Sequence, residues 1–386
     1  MTKTHPNTAI DSIASLHPPF RASMPDRTID HSSVSGIGSY PKTVEQKGNT
    51  ATSRPSPVDR LSALVGGTPL LEIHYTLDNR PGRIFAKYEL MNMTGSIKDR
   101  MALHIIRRAY ESGDLESGDT IVEATSGNTG ISFAAIGRAL GHPVRIYMPD
   151  WMSRERVQLI QNFGASIIPV SLEQGGFIGA IEMSQDYAVE HDGVFLPQQF
   201  SHPANAEAHE LYTGPEIEAQ LHELGREADA FVAGVGTGGT VMGVGRYLRR
   251  EGRAVAVHPL EPANSPTLRT GCKLGCHRIQ GISDEFVPSI VDLEMLDRVI
   301  DAWDGDSILM AQALCGTLGL AVGISSGANV LGAIELAEKH GPEATVVTVL
   351  PDSNKKYLST ALCQEEPIRD DYLTPRIRLD RFHAVS

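Results

Sequence analysis

The sequence predicts an α/β protein, with a mostly parallel sheet covered by helices on both faces, divided into two domains. Three observations carry this. Short apolar runs of strand type alternate with stretches of helical period. Glycine-rich turns fall where a strand gives way to a helix, the place where such sheets bind ligands. The chain has 386 residues, 41% of them apolar and 21% charged, which allows a sizeable core and more than one domain.

Taken in order, residues 1–57 stand apart. They hold 7 of the 23 prolines, 16 Ser or Thr, six basic and four acidic residues, and no apolar run or period. They read as a disordered N-terminal extension. No stretch matches the apolar segment of about 7–15 residues that a secretory signal needs. Asp11, Asp26, Asp30 and Glu45 argue against a transit peptide, and Met24 is an alternative initiator. Strand-like runs follow at 120–123, 144–148, 166–170, 230–233, 254–260 and 345–350. Helical periodicity marks 98–112, 131–140, 154–163, 204–221 and 241–251. Residues 364–386, of mixed charge with Pro367 and Pro375, read as a C-terminal surface tail.

The net charge of −13 argues against a nucleic-acid partner, which needs a basic face over phosphates. It argues equally against a surface for anionic lipid, and no run approaches the 18 or so apolar residues of a membrane span. Four cysteines are too few for a disulfide scaffold, so a reducing compartment, the cytoplasm, is the expectation. Cys272 and Cys276 have neither zinc nor haem spacing, and a loop explains them better than a metal; no metal site is expected.

Three turns and one lysine carry the chemistry. The turn Glu123-Ala-Thr-Ser-Gly-Asn-Thr-Gly130 follows a strand and opens a helix. Its hydroxyl and amide side chains, beside the free N–H groups of a helix N-terminus and with no lysine, suit a carboxylate better than a triphosphate. A cap alone would need only one of them. The second turn, Gly234-Val-Gly-Thr-Gly-Gly-Thr240, can wrap a phosphate with backbone N–H groups and two hydroxyls. Gly234, Gly236 and Gly239, with Glu261 22 residues later, also satisfy a dinucleotide fingerprint, so a nicotinamide cofactor stays open on these residues alone. The third, Leu350-Pro-Asp-Ser-Asn-Lys-Lys-Tyr357, brings Asp352 or Ser353 to another strand end. Lys98, in Gly95-Ser-Ile-Lys-Asp-Arg100, begins a helix, where the positive dipole end lowers an amine's pKa and suits a Schiff base.

These motifs, with Leu64-Val-Gly-Gly-Thr-Pro-Leu70, Gln198-Gln-Phe-Ser-His-Pro-Ala-Asn205, Ile279-Gln-Gly-Ile282 and Val322-Gly-Ile-Ser-Ser-Gly327, resemble in order those of the cysteine synthase and cystathionine β-synthase family. The resemblance runs from about residue 61 to 362. It implies the two-domain, three-layer parallel-sheet fold of the tryptophan-synthase-β-like (fold type II) pyridoxal-phosphate enzymes. A smaller mobile domain for the substrate carboxylate would span 92–202, and a larger phosphate-binding domain 61–91 and 203–363.

The resemblance further implies pyridoxal 5′-phosphate on Lys98, which would also take the α-proton of the amino acid as general base. Asn128 would bond the cofactor's ring oxygen, and Gly236, Thr237, Gly238, Gly239 and Thr240 its phosphate. Thr125, Ser126, Asn128, Thr129 and Gln199 would grip the substrate carboxylate. Ser353 would face the pyridine nitrogen; a neutral hydroxyl there favours loss of a β-leaving group, an argument that Asp352 would reverse if it reached the nitrogen. The implied reaction is β-replacement, O-acetyl-L-serine and sulfide giving L-cysteine and acetate. Alternatives are homocysteine giving cystathionine, a non-protein amino-acid synthase, or cysteine desulfhydrase activity.

Two departures stand out. The segment before the lysine reads Asn92-Met-Thr-Gly-Ser96, and the stretch after Gln-Gly-Ile carries Ser283, Asp284 and Glu285, a possible specificity loop. An acid there could serve as a base for another nucleophile, or be a solvated loop pair. The family also implies a homodimer and, as a partner, the C-terminal peptide of serine acetyltransferase.

Overall fold

The computed structural model describes residues 58–283 and 285–386. The expectations for 1–57 and for Asp284 lie outside the described residues.

The strands are β1 (Leu70–Leu77), β2 (Arg80–Tyr88), β3 (Thr120–Ala124), β4 (Val144–Pro149), β5 (Ser166–Val170), β6 (Val194–Phe195), β7 (Ala230–Gly234), β8 (Ala256–Pro262), β9 (Ile300–Ala302), β10 (Val346–Leu350) and β11 (Ile377–Val385). The helices are α1 (Lys98–Ser112), α2 (Asn128–Leu140), α3 (Arg154–Asn162), α4 (Gly176–Glu190), α5 (Ala204–Ala208), α6 (Gly214–Glu223), α7 (Gly239–Leu248), α8 (Thr267–Thr270), α9 (Asp304–Leu318) and α10 (Ile324–His340). They build two sheets. One has the order β11-β1-β2-β10-β7-β8-β9; the other, β5-β4-β3-β6, is parallel throughout.

Both sheets are covered on both faces, and the strand period shows how. In β7, Ala230 and Val232 pack beneath α9 and α10, while Phe231 and Ala233 pack against α6 and α7. In β10, Val346 and Leu350 take the first face, Val347 and Val349 the second. The small sheet repeats the plan. Ile121, Ile146 and Met148 meet α1 and α2, while Val122, Ala124 and Tyr147 face α4. Burial on both faces is why these strands read as continuous apolar runs.

Residues 364–386, expected as a surface tail, carry the last strand of the large sheet. β11 pairs antiparallel with β1 from Leu70↔Val385 to Leu77↔Ile377 and forms the edge of the large sheet. Most of its side chains are exposed and several are charged, as suits an edge strand. β1 and β2 were also absent from the predicted strands. They form a hairpin through Asp78 and Asn79, both at positive φ (48° and 65°), the conformation a two-residue turn requires. The single helix expected over 204–221 is broken by a π-helical turn at His209–Thr213, between α5 and α6.

One buried ionic network joins the two layers nearest the site. Arg100, in the first turn of α1, is bidentate to Glu89 (2.6 and 2.8 Å) and reaches Glu216 of α6 at 2.7 Å. Lys87 of β2 meets the same Glu216 carboxylate at 2.8 Å and donates to the Thr68 carbonyl. Glu89, Lys87 and Arg100 are all buried, and their charges compensate within the cluster.

Candidate active site

The carboxyl ends of β3, β7 and β10 open onto one cavity. Its wall includes Lys98, Thr125, Ser126, Asn128, Thr129, Gln199, Gly236, Thr237, Gly238 and Thr240. The sequence singled out each of these, and the fold brings them together from positions up to 142 residues apart (98 to 240).

Lys98 is the first residue of α1, and its seat is fixed from two sides. The chain before it is laced to the loop after β10. Ile97 N–H donates to the Pro351 carbonyl at 2.8 Å, Ser353 N–H to Gly95 at 3.3 Å, and Lys356 Nζ also reaches the Gly95 carbonyl at 3.2 Å. Asp99 accepts from Thr94 N–H and hydroxyl and from the Ser132 hydroxyl, all at 2.6 Å, which ties α1 to α2. Burial raises the Asp99 pKa, and these three donors oppose that.

The second wall is the turn into α2. Thr125 Oγ1 accepts from Gly127 N–H at 3.0 Å. Gly127 has φ 152°, and a β-carbon there would come within 2.2 Å of Arg156 Cδ, so glycine is required. Thr129 donates to Gln199 Oε1 at 2.6 Å, and Gln199 Nε2 donates to the Ala124 carbonyl at 2.8 Å. Behind them Glu123 accepts from Ala124 N–H at 3.0 Å and from Gln199 N–H at 3.2 Å. Its burial without a cation pushes its pKa up to about 8.

The third wall is the glycine loop before α7. Here the backbone at the glycines packs too closely against its neighbours to carry side chains. A β-carbon on Gly236 would meet the Gly281 carbonyl oxygen at 2.4 Å, and Gly238, at φ 85°, would meet Val291 at 2.2 Å. Gly239 stands back from the cavity against Asn205, 1.9 Å from where its β-carbon would lie. Asn205 Nδ2 donates both to the Gln199 carbonyl (2.7 Å) and to Thr237 Oγ1 (2.9 Å), joining the two ligand loops. Thr240 lies 3.3 Å from Nε2 of His209, which sits in the π-helical turn. Burial and then the charges of Arg100 and Lys98 push the His209 pKa down to about 3, so the ring is neutral.

Some expected residues lie elsewhere. Ser353 does not line the cavity, contrary to expectation. Its hydroxyl accepts from Lys355 N–H at 3.3 Å and caps the turn Asn354–Lys356. The neighbour Asp352 takes the place on the wall, with Tyr357, and Ser325 near the start of α10 lines it too. Ser283 and Glu285 border an adjoining recess that shares Ser126, Gln280, Gly281 and Ile282 with the cavity. Ser283 donates to Thr267 Oγ1 at 2.9 Å, and Glu285 lies 3.6 Å from Lys273. Glu261, the acid of the dinucleotide fingerprint, is fully buried against Leu268 N–H (2.6 Å) and Arg269 (2.8 Å), away from the cavity.

Sequence reasoning missed Arg156, Ser325 and Tyr357. Arg156 is buried on the cavity wall and bonded to Ser126 O (2.7 Å), Ser153 Oγ (2.8 Å) and Gln280 Oε1 (2.8 Å). No local motif marks it. Ser325 and Tyr357 stood inside quoted motifs, without a role assigned.

These residues fit pyridoxal phosphate. The glycine cradle and the α7 N-terminus suit a phosphate, Lys98 is on the wall, and, among the described residues, Asn128 Oδ1 and Asp352 Oδ1 are buried without hydrogen-bond partners.

The comparisons with known proteins point the same way. Residues 61–352 match the model of the pyridoxal-phosphate dependent enzymes. A cysteine synthase of Staphylococcus aureus is 41% identical over 306 residues, covering 79% of this chain and 97% of its own. The crystal structure of a hydrogen sulfide-producing enzyme from Fusobacterium nucleatum superposes with a TM-score of 0.82 at 51% identity, covering 85% of this chain and 98% of that one. The cysteine synthase of Entamoeba histolytica gives a TM-score of 0.73 at 34% identity, covering 85% and 96%. The chain belongs to the pyridoxal-phosphate dependent enzymes, with the mixed α/β, fold type II architecture of the cysteine synthases and pyridoxal 5′-phosphate as its cofactor.

Proposed function

We propose that the protein catalyses β-replacement on an activated serine, converting O-acetyl-L-serine and sulfide into L-cysteine and acetate. The observation that carries this reading is the meeting of Lys98, the carboxylate turn and the glycine cradle on one cavity wall. Pyridoxal phosphate, when bound, supplies the electron sink that makes α-proton removal feasible. Lys98 holds it and moves that proton. Gly236, Thr237, Gly238 and Thr240 bind the phosphate, with Gly239 shaping the loop from behind. Thr125, Ser126, Asn128, Thr129 and Gln199 bind the substrate carboxylate at the N-terminus of α2 and fix which face of Cα meets Lys98. Ser325, a neutral hydroxyl in the first turn of α10, replaces Ser353 as the group for the pyridine nitrogen; a hydroxyl at a helix N-terminus disfavours a positive ring.

A second reading has its own support. The hydrogen sulfide-producing enzyme of Fusobacterium nucleatum is more similar to this chain (51%) than the cysteine synthases compared with it, and Glu285 borders the recess that adjoins the cavity. In that reading L-cysteine is the donor and sulfide the leaving group. The four exposed cysteines, none in a disulfide, fit the cytoplasm, and a homodimer and the C-terminal peptide of serine acetyltransferase complete the reading as partners.

The test is to supply purified protein with O-acetyl-L-serine and sulfide and measure cysteine, then with L-cysteine alone or with a thiol and measure sulfide. Cysteine formation dominating supports the first reading; sulfide release dominating replaces it with the second. Lys98→Ala should lower either rate by about a hundredfold or more.

A further inference from the structure

Asn205 has no part in the function proposed above, yet it touches both ligand loops. It lies in α5, 1% exposed, and makes its side-chain bonds through one atom. Nδ2 donates to the Gln199 carbonyl at 2.7 Å and to Thr237 Oγ1 at 2.9 Å.

The first of these bonds decides how the amide lies. A backbone carbonyl only accepts, so the amino group has to face Gln199. Turned by half a revolution, the amide would set Oδ1 against that carbonyl in a dry site. Oδ1 itself is buried beside Gly239 and has no hydrogen-bond partner among the described residues, so nothing on that side selects the turned form.

The amide in turn decides what Thr237 does. One N–H of Asn205 points at Thr237 Oγ1, and Gly239 N–H points there too, at 3.5 Å. Both are donors, so the hydroxyl accepts from them. Among the described residues its own proton meets no acceptor. Thr237 lines the cavity, so that proton is left for a ligand there. A phosphate presents acceptor oxygens.

We propose that Asn205 is a positioning residue for the cofactor phosphate. It holds the Thr237 hydroxyl as an acceptor on the protein side, so that the hydroxyl donates its proton to the phosphate. It takes its own direction from the Gln199 carbonyl on the carboxylate loop. This rests on the phosphate role given to residues 236–240 above. It also gives Gly239 its reason: a β-carbon there would lie 1.9 Å from Asn205 Oδ1, so a side chain would displace the amide.

The test uses the full chain, stripped of cofactor and titrated separately with pyridoxal phosphate and with pyridoxal, which lacks the phosphate. The phosphorus NMR resonance of bound pyridoxal phosphate is read alongside. Asn205→Leu roughly keeps the shape and removes the donor. It should weaken pyridoxal phosphate binding about tenfold, leave pyridoxal within about twofold, and shift the bound phosphorus resonance. Thr237→Val removes the hydroxyl proton itself and should do the same. The double variant should lose no more than the larger of the two single losses. Equal losses for the two ligands, the mark of a merely structural role, would overturn the proposal, as would losses that multiply in the double variant. A parent-like affinity for pyridoxal phosphate in Thr237→Val would overturn it even where Asn205→Leu does not fold. A parent protein that binds pyridoxal as tightly as pyridoxal phosphate would overturn it and leave the role of Lys98 standing. A parent that binds neither would sink it together with the function it rests on.

Discussion

Glu123 shows how a single buried residue can set a pH dependence. Its pKa of about 8 in the fold stands above the ordinary 4.5 because burial penalises its charge. Below the unfolded value both states hold the proton, and the full stability is present. As pH rises toward 8 the unfolded chain releases the proton first, so stability falls across about 4.5–8 and does not recover above it. Glu123→Gln mimics the protonated acid. Denaturant midpoints measured between pH 5.5 and 8.5 should therefore fall more steeply for the parent than for the variant, by up to a few kcal/mol over the window. Parallel profiles would remove Glu123 as the cause. The same scale shows what was legible in sequence. Thr125, Asn128 and Lys98 were found because their turns abut strands and helices, so position implied orientation. Ser353 was misassigned because the chain there is extended (φ −86°, ψ 145°), where neighbours point to opposite sides. A shift of one residue exchanges a cap for a cavity wall. Arg156 left no local motif: Ser153, three residues before it, is one partner, but Ser126 and Gln280, which place it on the cavity wall, come from other segments.

At the scale of elements, α1 matters because it presents Lys98, and the network around Arg100 holds it. Removing the guanidinium leaves Glu89, which is fully buried, with an uncompensated charge. Arg100→Ala should cost about 3–5 kcal/mol in equilibrium unfolding, and Glu89→Gln in the same background should recover part of it. A loss below about 1 kcal/mol would show that the network does not bear on α1. The buried strands and α1 were readable because their periods are unmixed. β1, β2 and β11 were not read. β11 has a charged, exposed face and takes its order from pairing with β1, an interaction 300 residues distant in sequence that local pattern does not encode. The hairpin of β1 and β2 did carry a sign, in Asp78-Asn79, two residues that tolerate positive φ.

At the scale of the whole molecule, an acidic chain of net charge −13 has to bind anions. In the proposed function it does so through two local devices, the N-termini of α2 and α7, set at the ends of strands from two different sheets. The order of the strands, more than any one motif, brings those ends to the same cavity. The central claim is that this cavity holds pyridoxal phosphate on Lys98. Its most direct test is borohydride reduction of the purified protein, followed by digestion and mass spectrometry of the peptides. The pyridoxyl group should be found on the peptide carrying Lys98. Its recovery on buried Lys356, whose amine meets the Gly95 carbonyl behind the same loop, or on no lysine at all, would contradict the account.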